Sequence, residues 1–248
     1  MKVSLILPIY NEIKNLQKGV VDRVVHYAKH HPEICEILIV DDGSTDQSID
    51  VIKKDYLKEL PLLKLVQKVH SGKAFTVMEG IKQAKGTHVL FSDIDLATPI
   101  EEADKLIASA ERGADIVIGS RSSTREGAPL TRKIMARGFM IIRNIVIGLH
   151  GIRDTQCGFK IFNREKALTI IKKMRVFGTE KEIKGSSVSA GFDLEFLFIA
   201  KKLRCKITEI PVVWRHVETK NVNFIKDTFE TLRDIIVIKW NDITKKYD

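Results

Sequence analysis

Asp93 and Asp95 stand two residues apart where the apolar run Thr87 to Phe91 ends, in Phe91-Ser92-Asp93-Ile94-Asp95-Leu96-Ala97-Thr98-Pro99. A strand sends alternate side chains to one face, so the two carboxylates can converge if the backbone stays extended. Paired carboxylates at a strand's carboxyl end are hard oxygen donors, suited to Mg²⁺ or Mn²⁺ shared with a substrate's phosphates. Open α/β sheets bind ligands at that edge. The same residues also fit an acidic turn, since Thr98-Pro99 starts a helix well.

Two further strand ends carry acids. Val3 to Ile9 leads into Pro8-Ile9-Tyr10-Asn11-Glu12, and Ile37 to Val40 leads into Asp41-Asp42-Gly43-Ser44. Glu12 could cap the next helix or accept a donor from a nucleobase, and Asp41 and Asp42 could bind ribose hydroxyls or base. Acids gathered at one sheet edge without compensation are destabilising unless a cation or hydrogen-bonding ligand joins them. His70-Ser71-Gly72-Lys73 suggests a phosphate loop but lacks the P-loop pattern. The sequence also lacks the glycine fingerprint of dinucleotide oxidoreductases, the G-x-S-x-G elbow and the H-E-x-x-H zinc motif. Its histidines are dispersed and read as surface or core residues.

The elements that position these acids alternate. After the first strand, Glu12 to His30 has helical periodicity, and Gln47 to Tyr56, Ala74 to Ala84 and Pro99 to Glu111 read as helices. Leu63 to Val66, Thr87 to Phe91 and Asp115 to Gly119 read as strands. This order predicts an α/β fold with a mostly parallel, doubly wound sheet. Beyond Arg121 come a long segment from Leu130 to Leu149, strands at Thr155 to Phe162 and Ile207 to Trp214, and a buried helix at Phe192 to Leu203. Thr179 to Ala190 reads as mobile, and Asn223 to Trp240 as an amphipathic helix. One domain is expected, with residues 1–121 as its regular α/β half and 122–248 as an elaborated second half.

The chain has 248 residues and a formal net charge of +9, with 41 Lys and Arg against 32 Asp and Glu. That excess suits an anionic partner or an acidic membrane surface. The three cysteines, Cys35, Cys157 and Cys205, lack metal-ligand spacing and read as reduced thiols of a cytosolic protein. The chain opens directly on strand residues, so no signal peptide is expected. No apolar run reaches the roughly 20 residues that span a bilayer. Arg132, Lys133, Arg137 and Arg143 recur at roughly helical spacing beside Phe139, Met140, Ile141 and Ile145. They fit either a solvated face with snorkelling side chains or a basic, apolar surface for a lipid phosphate.

Taken in order, Pro8–Glu12, Asp41–Ser44, Gly72-Lys73 and Asp93-Ile94-Asp95 resemble the family 2 glycosyltransferases of GT-A fold. Gly119-Ser120-Arg121, Gly151 to Lys160, Phe192-Asp193-Leu194-Glu195 and Glu209-Ile210-Pro211-Val212 resemble its polyprenyl-phosphate branch, the dolichyl-phosphate β-glucosyltransferases and dolichol-phosphate mannose synthases. The resemblance runs from Val3 to about Lys220. It implies that Pro8, Tyr10, Asn11, Glu12, Asp41, Asp42 and Lys73 line the nucleotide-sugar site, and that Asp93 and Asp95 engage the metal on its diphosphate. Arg121, Arg132 and Arg137 would hold the acceptor phosphate, and Lys220 would lie in a segment closing over the nucleotide. Asp154 and Asp193 are candidates for orienting acceptor or sugar, and Asp193 equally fits a helix cap. Ala97 replaces the Gln usual in mannose synthases, Thr179 to Ala190 is longer than in relatives, and no counterpart of their membrane anchors is expected.

The resemblance thus implies an inverting transferase at the cytoplasmic face of a membrane, held there peripherally. One sugar would pass from a nucleoside diphosphate sugar to a polyprenyl or dolichyl phosphate. UDP-glucose leads as donor, then UDP-N-acetylglucosamine and GDP-mannose. A saccharide hydroxyl acceptor would need a general base, and the Q-x-x-R-W motif of polymer-forming members is absent. A nucleic-acid-binding protein would show a recognisable module, and none is found.

Overall fold

Val3–Ile9 (β1) is buried at every residue, as a strand covered on both faces must be. Ile34–Asp41 (β2) is nearly so and pairs with it in parallel, placing Ile9 beside Asp41. Leu63–Gln67 (β3) joins the far edge of β2, and His88–Ser92 (β4) joins β1. Ile116–Arg121 (β5), Phe159–Asn163 (β6) and Ile207–Val212 (β7) complete a seven-stranded sheet of order β3-β2-β1-β4-β6-β5-β7. This computed structural model describes residues 1–58, 60–121, 130–179, 190–215 and 224–248, with backbone alone for 130–137, 190 and 224–228.

The expected parallel sheet is present with one reversed strand. β6 runs antiparallel to both neighbours, β4 and β5. It brings residues from beyond position 121 into the middle of the sheet, so both halves of the chain share one sheet.

The helices are Ile13–Gln17 (α1), Val20–His30 (α2), Ser48–Asp55 (α3), Lys73–Gln83 (α4), Ala103–Glu111 (α5), Leu130–Ile147 (α6), Arg164–Lys173 (α7), Ala190–Lys202 (α8) and Phe224–Ile243 (α9). Side chains alternate between two cores. Leu5 and Leu7 pack with α1, α2, α3 and α5 on one face, while Ile6 packs with α4, α7, α8 and α9 on the other. Each of these fully buried residues contributes about 2–3 kcal/mol. The result is an α/β/α sandwich whose strand ends share one rim.

Several boundaries differ from those the sequence suggested. Glu12 to His30 is two helices, because Gly19 takes a left-handed φ of +70° between α1 and α2. The helix expected from Pro99 begins as a 3-10 turn at Ile100–Glu102 before α5. The strand expected from Thr155 starts only at Phe159, the residues before it forming a loop. Helix α7 was not anticipated; Asn163 caps it by accepting from the Lys166 N–H at 3.1 Å. Residues 180–189 of the segment read as mobile lie outside the described residues.

Candidate active site

The rim at the carboxyl ends of β1, β2, β4 and β5 gathers most of the candidates. At β4 the strand stops at Ser92, and the chain turns rather than staying extended. The Leu96 N–H donates to the Asp93 carbonyl at 3.2 Å, with Leu96 at a left-handed φ of +47°. The carboxylates are therefore brought together by a tight turn, not by strand alternation. Gly158 makes room for Asp93: a Cβ there would stand 2.0 Å from Asp93 Oδ2. Asp93 pairs with Lys73, the first residue of α4. Asp95 Oδ1 accepts only the Ala97 N–H, at 3.0 Å, among the described residues. Burial raises the Asp95 pKa, and the Asp93 charge adds to it.

The second cluster lies beside it. Arg121, the last residue of β5, donates to Asp154 from Nε and from Nη2, each at 2.7 Å, and its backbone N–H donates at 3.0 Å. Burial opposes both charges, but the pair outweighs it: the Arg121 pKa is raised and the Asp154 pKa lowered. A guanidinium has five N–H groups, so the edge turned from Asp154 keeps donors for another anion. Under α8, Lys160 of β6 donates to Asp193 at 2.8 Å and to the Cys157 carbonyl. Burial raises the Asp193 pKa, only partly offset by Lys160. Asp193 lies within the first turn of α8 rather than at its cap. Asp93, Thr98, Arg121, Gln156, Cys157 and Trp214 line one cavity of about 60 Å³.

Among the described residues, Asp93 pairs with Lys73, Asp154 with Arg121 and Asp193 with Lys160. Asp95 has no ion-pair partner among the described residues. No group of three or more metal-binding side chains occurs among the described residues. Asp93 and Asp95 are the oxygen donors that could hold a divalent cation here, with its other ligands coming from outside the protein.

The acids at the ends of β1 and β2 are arranged differently from expectation. The strand-end acids are largely compensated within the protein. Asp42 is 2% exposed, and four donors hold its carboxylate: Lys68 Nζ at 3.1 Å, the Ser71 N–H at 3.0 Å, the Gly72 N–H at 2.8 Å and His70 Nδ1 at 2.7 Å. Burial pushes its pKa up, but these bonds win and the carboxyl sits below its usual range. The loop amides at 71 and 72 thus serve Asp42, not a phosphate. Asp41 is buried and accepts the Ser44 N–H at 3.0 Å. Asn11, at φ +55°, accepts the N–H groups of Thr45 and Asp46 at 2.7 and 3.1 Å. Glu12 accepts from Asn15 at 2.6 Å and does not cap α1 with its side chain. Pro8 is buried in β1 opposite Val40.

His70 is part of this site, contrary to the reading of the histidines as scattered. Its ring stacks on Tyr10, centroids 4.0 Å apart and planes 7° from parallel. Its place three residues before Lys73 was the available signal. Arg143 is not a snorkelling surface residue either: it is 2% exposed and donates to the Ile152 carbonyl and, at 3.4 Å, to Thr155 Oγ1. The side chains of Arg132 and Arg137 and all of Lys220 lie outside the described residues.

The sequence model described as glycosyl transferase family 2 matches residues 4–170. The chain belongs to this family. Curated relatives of this glycosyltransferase include a dolichyl-phosphate β-glucosyltransferase of Trichomonas vaginalis, 35% identical over 95% of this chain and 72% of that protein. Its counterpart in Saccharomyces cerevisiae is 28% identical over 96% of this chain and 74% of that protein. Among solved structures, Mycobacterium tuberculosis glucosyl-3-phosphoglycerate synthase with Mn²⁺, UDP-glucose and phosphoglyceric acid superposes with a TM-score of 0.66. It is 17% identical, covering 96% of this chain and 79% of that one. Mannosyl-3-phosphoglycerate synthase from Rubrobacter xylanophilus gives 0.65 at 14% identity, with coverages of 96% and 73%. These likenesses bear out the GT-A fold and the glycosyltransferase class.

Proposed function

We propose that this glycosyltransferase moves glucose from UDP-glucose to a dolichyl or polyprenyl phosphate, with inversion at the anomeric carbon. The observation that carries the reading is the single cavity lined by both Asp93 and Arg121. One wall suits a cation-bound diphosphate and the other an acceptor phosphate. The names of the curated relatives support the glucosyl donor and the dolichyl acceptor.

The attacking atom is a phosphate oxygen of the acceptor. It bonds to the anomeric carbon as the bond from that carbon to the UDP oxygen breaks, and the electron pair leaves with UDP. A phosphomonoester has a second pKa of about 6, so at neutral pH no proton has to be removed. The protein's task is orientation, which the outward N–H edge of Arg121 performs while Asp154 holds the other edge. Asp193, held by Lys160 at 2.8 Å, is the carboxylate assigned here to orienting the sugar. The flat Tyr10–His70 pair offers a stacking wall for the base, and Asp42 keeps His70 in place. When bound to Asp93 and Asp95, Mg²⁺ or Mn²⁺ would supply charge neutralisation for the departing diphosphate.

The acceptor's lipid requires a membrane surface nearby. No described helix is long and apolar enough to cross a bilayer. On α9, Phe229, Ile236, Trp240 and Ile243 are 62–69% exposed, at spacings that place them on one stripe. Helix α6 packs against α9 and exposes Ile141, Ile142 and Ile145. This exposed apolar surface supports a peripheral contact with a membrane, which the proposed reading puts at the cytoplasmic face.

The test is transfer of labelled sugar into organic-extractable product. Purified enzyme would meet polyprenyl phosphate and a panel of UDP- and GDP-sugars, with Mn²⁺, Mg²⁺ or EDTA, alongside Asp95→Ala. Labelling from UDP-glucose, lost with EDTA and in the variant, is expected. Sugar-nucleotide binding without lipid labelling would overturn the acceptor assignment.

A further inference from the structure

The loop at residues 152–155 carries Asp154, and elements distant in sequence fasten it. Glu209, on β7, accepts the Asp154 N–H at 2.7 Å and the Arg153 N–H at 2.9 Å. Arg143, on α6, grips the loop by the Ile152 carbonyl and the Thr155 hydroxyl. A further tie is the Asp154 carboxylate on Arg121. Neither Glu209 nor Arg143 lines the cavity.

We infer that Glu209 and Arg143 are positioning residues that lock residues 152–155, fix the Asp154 carboxylate, and so aim the Arg121 guanidinium at the acceptor phosphate. The aim of Arg121 rests on the function proposed above; the lock does not.

Arg143 is an expensive way to fill a core position. Among the described residues it has no carboxylate bonded to it, only neutral oxygens, including the Asn144 side chain at 2.9 Å. Burial lowers its pKa, with the Glu209 and Asp154 charges only partly opposing this. A Met would fill much the same space without desolvating a charge. What Met would not supply is donors to two atoms of this loop. Glu209 complements it: a carboxylate facing two successive N–H groups fixes the plane of the peptide that leads into Asp154. β7 pairs with β5, with Glu209 beside Ile118 and Val212 beside Arg121, so the anchor and the arginine it serves share a strand pair. A residue aimed through a locked partner loses precision, not charge, when the lock is removed.

The test compares Glu209→Ala, Glu209→Gln and Arg143→Met with wild type. Steady-state kinetics would vary acceptor and donor separately, and calorimetry would give UDP affinity with Mn²⁺. Glu209→Ala should raise the acceptor KM about tenfold while UDP affinity stays within about twofold. Glu209→Gln, which keeps an acceptor oxygen, should recover most of the loss. Combining Glu209→Ala with Asp154→Asn should cost no more than Asp154→Asn alone, since both act on one route. Equal increases in donor and acceptor KM, or losses that multiply in the combined variant, would overturn the inference. A second readout needs no turnover: the Arg121 Nε–H resonance, assigned by its loss in Arg121→Lys. It should be protected from exchange in wild type and unprotected in Glu209→Ala. If wild type bound UDP but glucosylated no lipid, the functional reading would fail, and this resonance would still decide the lock. Unchanged protection in Glu209→Ala would refute it.

Discussion

Replacing Asp154 by Ala probes the most strongly held charge pair of the site. Arg121 would lose two side-chain bonds of 2.7 Å and the acceptor of its own N–H at 3.0 Å. The two side chains are 23% and 13% exposed, so water reaches the orphaned guanidinium only in part. Breaking a fully buried pair costs about 3–5 kcal/mol, and an exposed pair about 0–1. Partial exposure therefore sets the expected loss at about 2–4 kcal/mol. At about 2–4 °C per kcal/mol for a chain of this size, Tm should fall by about 4–16 °C. Urea and thermal unfolding of Asp154→Ala, Arg121→Ala and the double variant would measure it. The double variant leaves no orphaned charge, so the single losses should exceed it with a coupling of about 2 kcal/mol. The sign with pH is fixed by the lowered Asp154 pKa. Its stabilisation is complete above the unfolded value of about 3.9 and disappears as pH falls through the folded value. The gap between wild type and Asp154→Ala should thus be flat near neutrality and close in acid. A coupling under about 0.5 kcal/mol would refute the pairing as a strong buried interaction.

Other expectations follow from the same structure. Glu195 is fully buried and accepts the N–H groups of Arg175, Val176 and Phe177 and the Tyr247 hydroxyl, all within 3.0 Å. Glu195→Gln turns one acceptor into a donor against these N–H groups and should cost about 1–3 kcal/mol in urea unfolding. Asp42→Asn breaks the same kind of cage and should weaken UDP binding about tenfold by calorimetry. Because the Asp42 pKa is lowered, the wild-type advantage should persist down to about pH 4 and be lost only as pH falls through the folded value. Ile236→Glu and Trp240→Glu, each removing one exposed apolar residue of α9, should cut sedimentation with anionic vesicles by about tenfold. Their unfolding midpoints should match wild type.

What the sequence disclosed was local, and what it concealed was tertiary. The run Val3 to Ile9 and the acids after β2 and β4 were legible because buried parallel strands are apolar throughout and end abruptly at the polar rim. Asp93 and Asp95 were legible for the same reason, although their geometry comes from a turn with Leu96 at positive φ. The reversal of β6 and its place between β4 and β5 were not, since periodicity carries no information on which strands become neighbours. Charge compensation was hidden too. The partners of Asp42 stand 26–30 residues away, and Arg121 and Asp154 are 33 apart. Arg143 looked like a surface cation because charge normally marks solvent exposure. Only the loop it grips explains its burial.

The most direct test of the account is the linkage in the product made from UDP-glucose, whose glucose is α-linked, and dolichyl phosphate. Proton and phosphorus NMR of the purified lipid would report the anomeric configuration and the atom bonded to the sugar. A β-glucosyl phosphodiester is expected, from one inverting attack by the phosphate that Arg121 orients. An α-linked product, or glucose on a hydroxyl with the acceptor phosphate still a monoester, would contradict it.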